Sequence, residues 1–66
     1  MKTATYDDSF EVMLNTAKEY DRYSKHSQKL ANNAMHRLFG QAELCRELFG
    51  VSVLQTLHRI ERKLDE

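Results

Sequence analysis

The chain has no proline and only two glycines, Gly40 and Gly50, among its 66 residues. A β-rich domain needs more turn-forming residues than that, because Gly, Pro, Asn and Asp mark the connections between strands. Leu, Ala, Glu, Lys, Arg and Gln dominate the composition, and β-branched residues are few. These are the residues that favour helices. The sequence therefore predicts an all-α fold.

The length of the chain limits how large a core it can build. Sixty-six residues make one domain at most, and below roughly 70–80 residues a single core is marginal without disulfides, metal or oligomerisation. Cys45 is the only cysteine, so no intrachain disulfide can form. We interpret it as a small buried hydrophobic residue rather than a reactive thiol. Oligomerisation is then the expected source of extra stability.

The first half of the chain predicts one long helix, over about 8–39. Asp8 followed by Glu11 forms a capping-box pattern, and apolar or small residues then recur every three or four positions from Phe10 to Leu38. Gly40 is placed to end this helix in a left-handed conformation. Residues 24–27 offer an alternative, a break after which Ser27 caps a new helix. Residues 1–7 are expected to be flexible.

The second half, 41–64, has two interpretations that differ at Gly50. In the first it is one continuous helix, which pairs with the first helix as an antiparallel hairpin joined at Gly40. An apolar patch is then left on the outer side, and such patches usually mark an interface. Two hairpins would pair through it as a homodimeric four-helix bundle. The predicted interface residues are Leu44, Leu48, Val51 and Leu54.

In the second interpretation the helix breaks at Gly50, and Ser52 caps a last helix from Val53 to about Leu64. This segment resembles the helix-turn-helix of bacterial and phage regulators, in which a phrase such as Glu-Leu-Ala-x-x-Leu-Gly-Val-Ser precedes a recognition helix. The chain has one residue more than this pattern between the small residue and the turn glycine. The matching residues are Glu43, Leu44, Cys45, Leu48, Gly50, Val51 and Ser52.

The resemblance to helix-turn-helix regulators implies a DNA-binding surface on the last helix. Gln55 and Arg59 would be the candidates for contacts with base edges. Arg62 and Lys63 would be the candidates for contacts with phosphates. The single extra residue would turn the preceding helix by about 100°, which would move it off its packing face.

Charge is distributed unevenly along a chain whose formal net charge is zero. Residues 1–21 carry a net −3, residues 22–39 a net +4 and residues 40–66 a net −1. On a single helix, the basic residues would form a stripe suited to nucleic-acid phosphates, of DNA or RNA, or to an acidic partner. This stripe comprises Lys18, Arg22, Lys25 and Lys29.

No catalytic, metal-binding or cofactor-binding pattern is apparent in the sequence. His26, His36, His58 and Cys45 share no ligand spacing, and there is no glycine-rich phosphate loop. Neither a signal peptide nor a membrane span is recognisable. We therefore expect a cytoplasmic non-enzyme, in the style of bacterial or phage accessory proteins. It would act on itself and on an unidentified protein partner, with DNA-binding regulation as the alternative.

Overall fold

The structure, a computed structural model, describes residues 4–66. These residues form three α-helices and no strand, which confirms the all-α prediction: α1 spans Tyr6–Tyr23, α2 spans Gln28–Phe49 and α3 spans Val53–Leu64. The predicted single helix over 8–39 is wrong, because the chain turns between α1 and α2. The predicted hairpin joint at Gly40 is wrong for the same reason.

Helix α1 begins two residues earlier than expected. Thr5 is its N-cap, and the Thr5 hydroxyl accepts a hydrogen bond from the backbone N–H of Asp8 at 3.3 Å. The Asp8 carboxylate in turn accepts from the backbone N–H of Thr5 at 3.1 Å. Asp8 is therefore the N3 residue of a capping box rather than its N-cap. Of the segment expected to be flexible, residues 1–3 lie outside the described residues, and Tyr6 and Asp7 belong to α1.

The break between α1 and α2 falls at the serine-containing segment named as the alternative. Backbone N–H groups of His26 and Ser27 both donate to the carbonyl of Tyr23, at 2.9 and 2.8 Å. Ser27 has an extended backbone, and its hydroxyl accepts from the N–H of Leu30 at 3.3 Å. Serine favours such a cap over a helix interior because its hydroxyl competes for backbone groups.

Gly40 lies inside α2 rather than at a helix end. A glycine in a helix interior costs about 1 kcal/mol relative to alanine. The neighbouring turns of α2 are held by burial, since Leu38, Ala42 and Cys45 all lie in the core. Packing of this face against α1 therefore overrides the weak local preference.

Gly50 ends α2 with a φ of 71°, in the left-handed region. Its N–H donates to the carbonyl of Arg46 at 2.8 Å, as expected of a glycine that terminates a helix. Ser52 then caps α3, and its hydroxyl accepts from the N–H of Gln55 at 3.4 Å. The continuous helix over 41–64 is therefore wrong, and the short helix expected before the turn is the C-terminal part of the longer α2.

The three helices run up, down and up around one small core. α1 and α2 form an antiparallel hairpin with the closest packing in the molecule. Helix α3 returns beside α1 in the same direction: Thr56 near its start meets Tyr6, while Leu64 at its end lies near Ala17. The core consists of Phe10, Met13, Leu14, Ala17, Leu38, Ala42, Cys45 and Ile60.

Candidate interaction surfaces

The α1–α2 face is a shallow apolar groove of about 140 Å³ between the two hairpin helices. Val12 of α1 and Leu44 and Leu48 of α2 flank it, and they are 53%, 55% and 63% exposed. Ser9, Gln41 and Cys45 complete its lining. No residue of α3 takes part. This surface is therefore open on the hairpin, and three large aliphatic side chains are left in solvent there.

Two of the four predicted interface residues belong to this face. Leu44 and Leu48 are one helical turn apart on α2 and line the groove together. Leu54 is 62% exposed but lies on α3, and Val51 is half-buried in the turn before it. Neither lines the groove. The break at Gly50 separates the two pairs, because it ends the single helix on which they would have shared one side.

Val12 is the main contributor that the sequence interpretation missed. It lies off the core stripe of α1, between Glu11 and the buried Met13. A lone apolar residue on a polar helix face is usually of no consequence. Only the fold shows that it stands beside Leu44 and Leu48.

The floor of the α1–α2 face contains an unsatisfied polar atom. The side-chain oxygen Oε1 of Gln41 is buried and accepts no hydrogen bond from any described residue. Leaving a buried acceptor without a donor costs about 1–3 kcal/mol. Because this oxygen is out of contact with solvent, the folded chain itself bears the cost.

The Cys45 thiol lies beneath the same face. Its side chain is 2% exposed, which agrees with the prediction that it is a buried hydrophobic residue. Burial disfavours the thiolate and raises the pKa of Cys45 above its ordinary value. The thiol is therefore held neutral and poorly reactive.

The basic residues surround the turn between α1 and α2 instead of forming a stripe on one helix. Arg22 is in the last turn of α1, Lys25 is in the connection and Lys29 is in the first turn of α2, with Lys18 one turn further back on α1. All four are exposed. Within the described part of the chain, none of them forms an ion pair with a carboxylate. Arg37, by contrast, is paired with Glu19 at 2.9 Å.

The residues expected to read DNA are divided between two environments. Gln55 and Arg62 are exposed on the solvent side of α3. The Arg59 guanidinium instead lies 3.9 Å from the centre of the Phe10 ring and 5.4 Å from that of Tyr6. It is also 3.5 Å from the carboxylate of Asp7. Arg59 therefore fastens α3 to α1 and is turned away from the outer side of α3.

Among the described residues, no group of three or more His, Cys, Asp or Glu side chains could hold a metal ion. None of the described helices combines the length and the apolar character needed to cross a membrane. Comparisons with protein-family models, with curated proteins and with solved structures find no match to this chain.

Proposed function

We propose that this protein is a small regulatory or accessory protein that acts by protein–protein interaction, and that it associates with itself through the α1–α2 face. The observation that carries the proposal is the exposure of Val12, Leu44 and Leu48 beside one groove of the folded chain. A folded chain of this size has a small core, and burying these side chains on association would add to its stability.

A second copy of the chain fits an exposed apolar face of this kind. In a symmetric dimer the same patch meets itself. A two-fold axis near Gln41 would bring Leu44 and Leu48 of the two copies together. Four helices, α1 and α2 of each copy, would then pack together as a bundle. This arrangement replaces the hairpin pairing expected from the sequence.

The test is sedimentation equilibrium of the wild type and of Leu48→Asp. Leu48 is 63% exposed, so the substitution leaves the monomer core intact and should give a helical monomer. The matched control is Leu64→Asp, which places the same charge at a leucine that is 42% exposed on α3. The control should remain dimeric. A helical Leu48→Asp variant that still dimerises like the wild type, or a monomeric wild type, would sink the proposal.

DNA binding is the second candidate function, and the geometry at Gly50 favours it. Residues 50–52 are non-helical and lead into a capped helix that presents Gln55, His58 and Arg62 to solvent. The arrangement supports the resemblance to helix-turn-helix regulators in its turn. The inward position of Arg59 reduces the basic character of the outer side of α3.

Fluorescence anisotropy with random duplex DNA across a salt series tests the second candidate. If α3 enters the DNA groove, binding should weaken with salt and should fall further in Gln55→Ala and Arg62→Ala. Lys25→Glu with Lys29→Glu serves as the comparison. Loss in that double variant alone would assign binding to the basic turn between α1 and α2.

A further inference from the structure

A second groove, separate from the α1–α2 face, lies where the C-terminal parts of α1 and α3 meet the middle of α2. It has a volume of about 300 Å³ and is open to solvent on one side. Ala17 and Tyr20 of α1, Leu38 and Phe39 of α2 and Leu57 and Leu64 of α3 line it. We call it the α3 groove. Its size is at the lower end of ligand pockets, roughly 300–1,000 Å³.

Large apolar side chains stand at the mouth of the α3 groove. Phe39 is 46% exposed and Leu64 is 42% exposed, and Met35 and Leu57 are half-buried. The groove is thus an open apolar channel walled by all three helices. Such a channel suits the apolar side of another helix, whose side chains at i, i+3, i+4 and i+7 enter it.

The charges on the α3 groove have a single sign. Two charged residues line it, Asp21 on α1 and Glu61 on α3, and no lysine or arginine among the described residues does so. Neither carboxylate forms an ion pair with a described residue, whereas Glu19, two residues before Asp21, is paired with Arg37. Asp65, directly after Leu64, adds another exposed carboxylate at the end of α3. An occupant with positive charge beside its apolar side would meet the two carboxylates of the lining.

We propose that the α3 groove binds an amphipathic helix of another protein, with lysine or arginine beside its apolar side. The apolar channel accounts for the helix, and the unpaired carboxylates of Asp21 and Glu61 account for its basic flanks. The proposal is independent of self-association, because the α1–α2 face shares no lining residue with this groove.

The experiment measures binding of two labelled model peptides to the full chain by fluorescence anisotropy. One peptide is built from leucine and lysine with helical amphipathic spacing, and the other has glutamate in place of each lysine. Wild-type protein should bind the lysine peptide about tenfold more tightly. The double variant Asp21→Lys with Glu61→Lys should reverse this preference. Its helical content should equal that of the wild type.

The matched control is Glu11→Lys with Glu47→Lys, which changes net charge equally at exposed positions outside the groove. It should keep the wild-type preference. The proposal is overturned if wild type binds neither peptide or both equally, or if the control loses the preference as fully as the groove variant. It is also overturned if Phe39→Asp turns a wild-type dimer into a monomer, which would show that a second copy occupies the groove.

Discussion

At the scale of single residues, the two glycines have opposite roles in the same helix. Gly50 has a φ of 71° and Gly40 has ordinary helical geometry, and a Cβ at either position would meet nothing within 4 Å. Only backbone conformation therefore distinguishes the two sites. An alanine is strained in the left-handed region and favoured in a helix interior.

Gly50→Ala should lower the free energy of unfolding by about 1–2 kcal/mol. Gly40→Ala should raise it by about 0.5–1 kcal/mol, because alanine loses less backbone entropy on folding. Urea unfolding followed by circular dichroism measures both changes. Effects of the same sign at the two positions would contradict the helix boundaries described above.

Cys45 gives the chain a pH dependence whose sign follows from its burial. The pKa of the thiol is raised in the folded state, so the unfolded chain loses this proton at lower pH than the folded chain. The stabilising contribution is complete below the ordinary thiol pKa of the unfolded chain and is lost as pH rises from there through the raised pKa of the folded state.

Urea unfolding of the wild type and Cys45→Ala across the alkaline range measures this contribution. The substitution leaves a small cavity whose cost does not depend on pH, so the free energy of unfolding should fall more steeply with pH in the wild type. Every other ionisable group is present in both proteins, so the difference between the two curves reports the thiol. Parallel curves would show that the thiol ionises equally in both states.

At the scale of elements, the sequence predicted the all-α class and, in the second interpretation, the helix boundary at 50–52, but not the extents of α1 and α2. The all-α class, the cap of the last helix at Ser52 and the end of a helix at Gly50 all follow from local chemistry, and the structure has them. These features depend on one or two residues each. The serine between α1 and α2 was recognised as a possible cap, but the core stripe continued through it and favoured a longer helix.

Contacts between helices determine the helix boundaries and surfaces that local sequence patterns do not predict. A single helix over 8–39 would keep Phe10 and Leu38 far apart, at about 1.5 Å of rise per residue, whereas the turn brings both into one core. The fold also places Val12 beside Leu44 on the α1–α2 face, and it brings Asp21 and Glu61 together in the lining of the α3 groove. Neither interaction surface could be predicted from periodicity, because each joins residues from different helices.

Arg59 holds α3 against α1, so removing its side chain should lower the stability of the folded chain. Arg59→Ala should lower the free energy of unfolding by about 1 kcal/mol, since it removes a guanidinium stacked on Phe10 and close to Tyr6. Arg62→Ala, which deletes an exposed arginine one turn later, should change it by less than about 0.5 kcal/mol. Chemical denaturation of the two variants gives the comparison. Equal losses would mean that Arg59 is not a packing residue.

At the scale of the whole molecule, the chain separates its surfaces by kind. The basic residues gather at the turn between α1 and α2, the leucines of the α1–α2 face lie near the opposite end of α2, and carboxylates line the α3 groove. A formal net charge of zero therefore conceals regions of both signs. The α1–α2 face and the α3 groove share no lining residue, so covering one leaves the other open.

Self-association through the α1–α2 face would make the stability of the molecule depend on its concentration. Mass action stabilises any folded state that binds a partner, by about 2.7 kcal/mol when the partner is in hundredfold excess over Kd. For a domain of this size each 1 kcal/mol shifts Tm by about 4–8 °C. The Tm of the wild type should therefore rise by several degrees with increasing protein concentration.

Thermal unfolding of Leu48→Asp should show a Tm that does not change with concentration, since its monomer has no face to bury. Leu64→Asp should unfold at a lower temperature than wild type but keep the concentration dependence, because Leu64 lies on the α3 groove. The slope of Tm against concentration, rather than Tm itself, separates loss of association from loss of packing. A flat slope for the wild type would mean that the three-helix monomer is the stable unit, and that the leucines of the α1–α2 face serve a different partner.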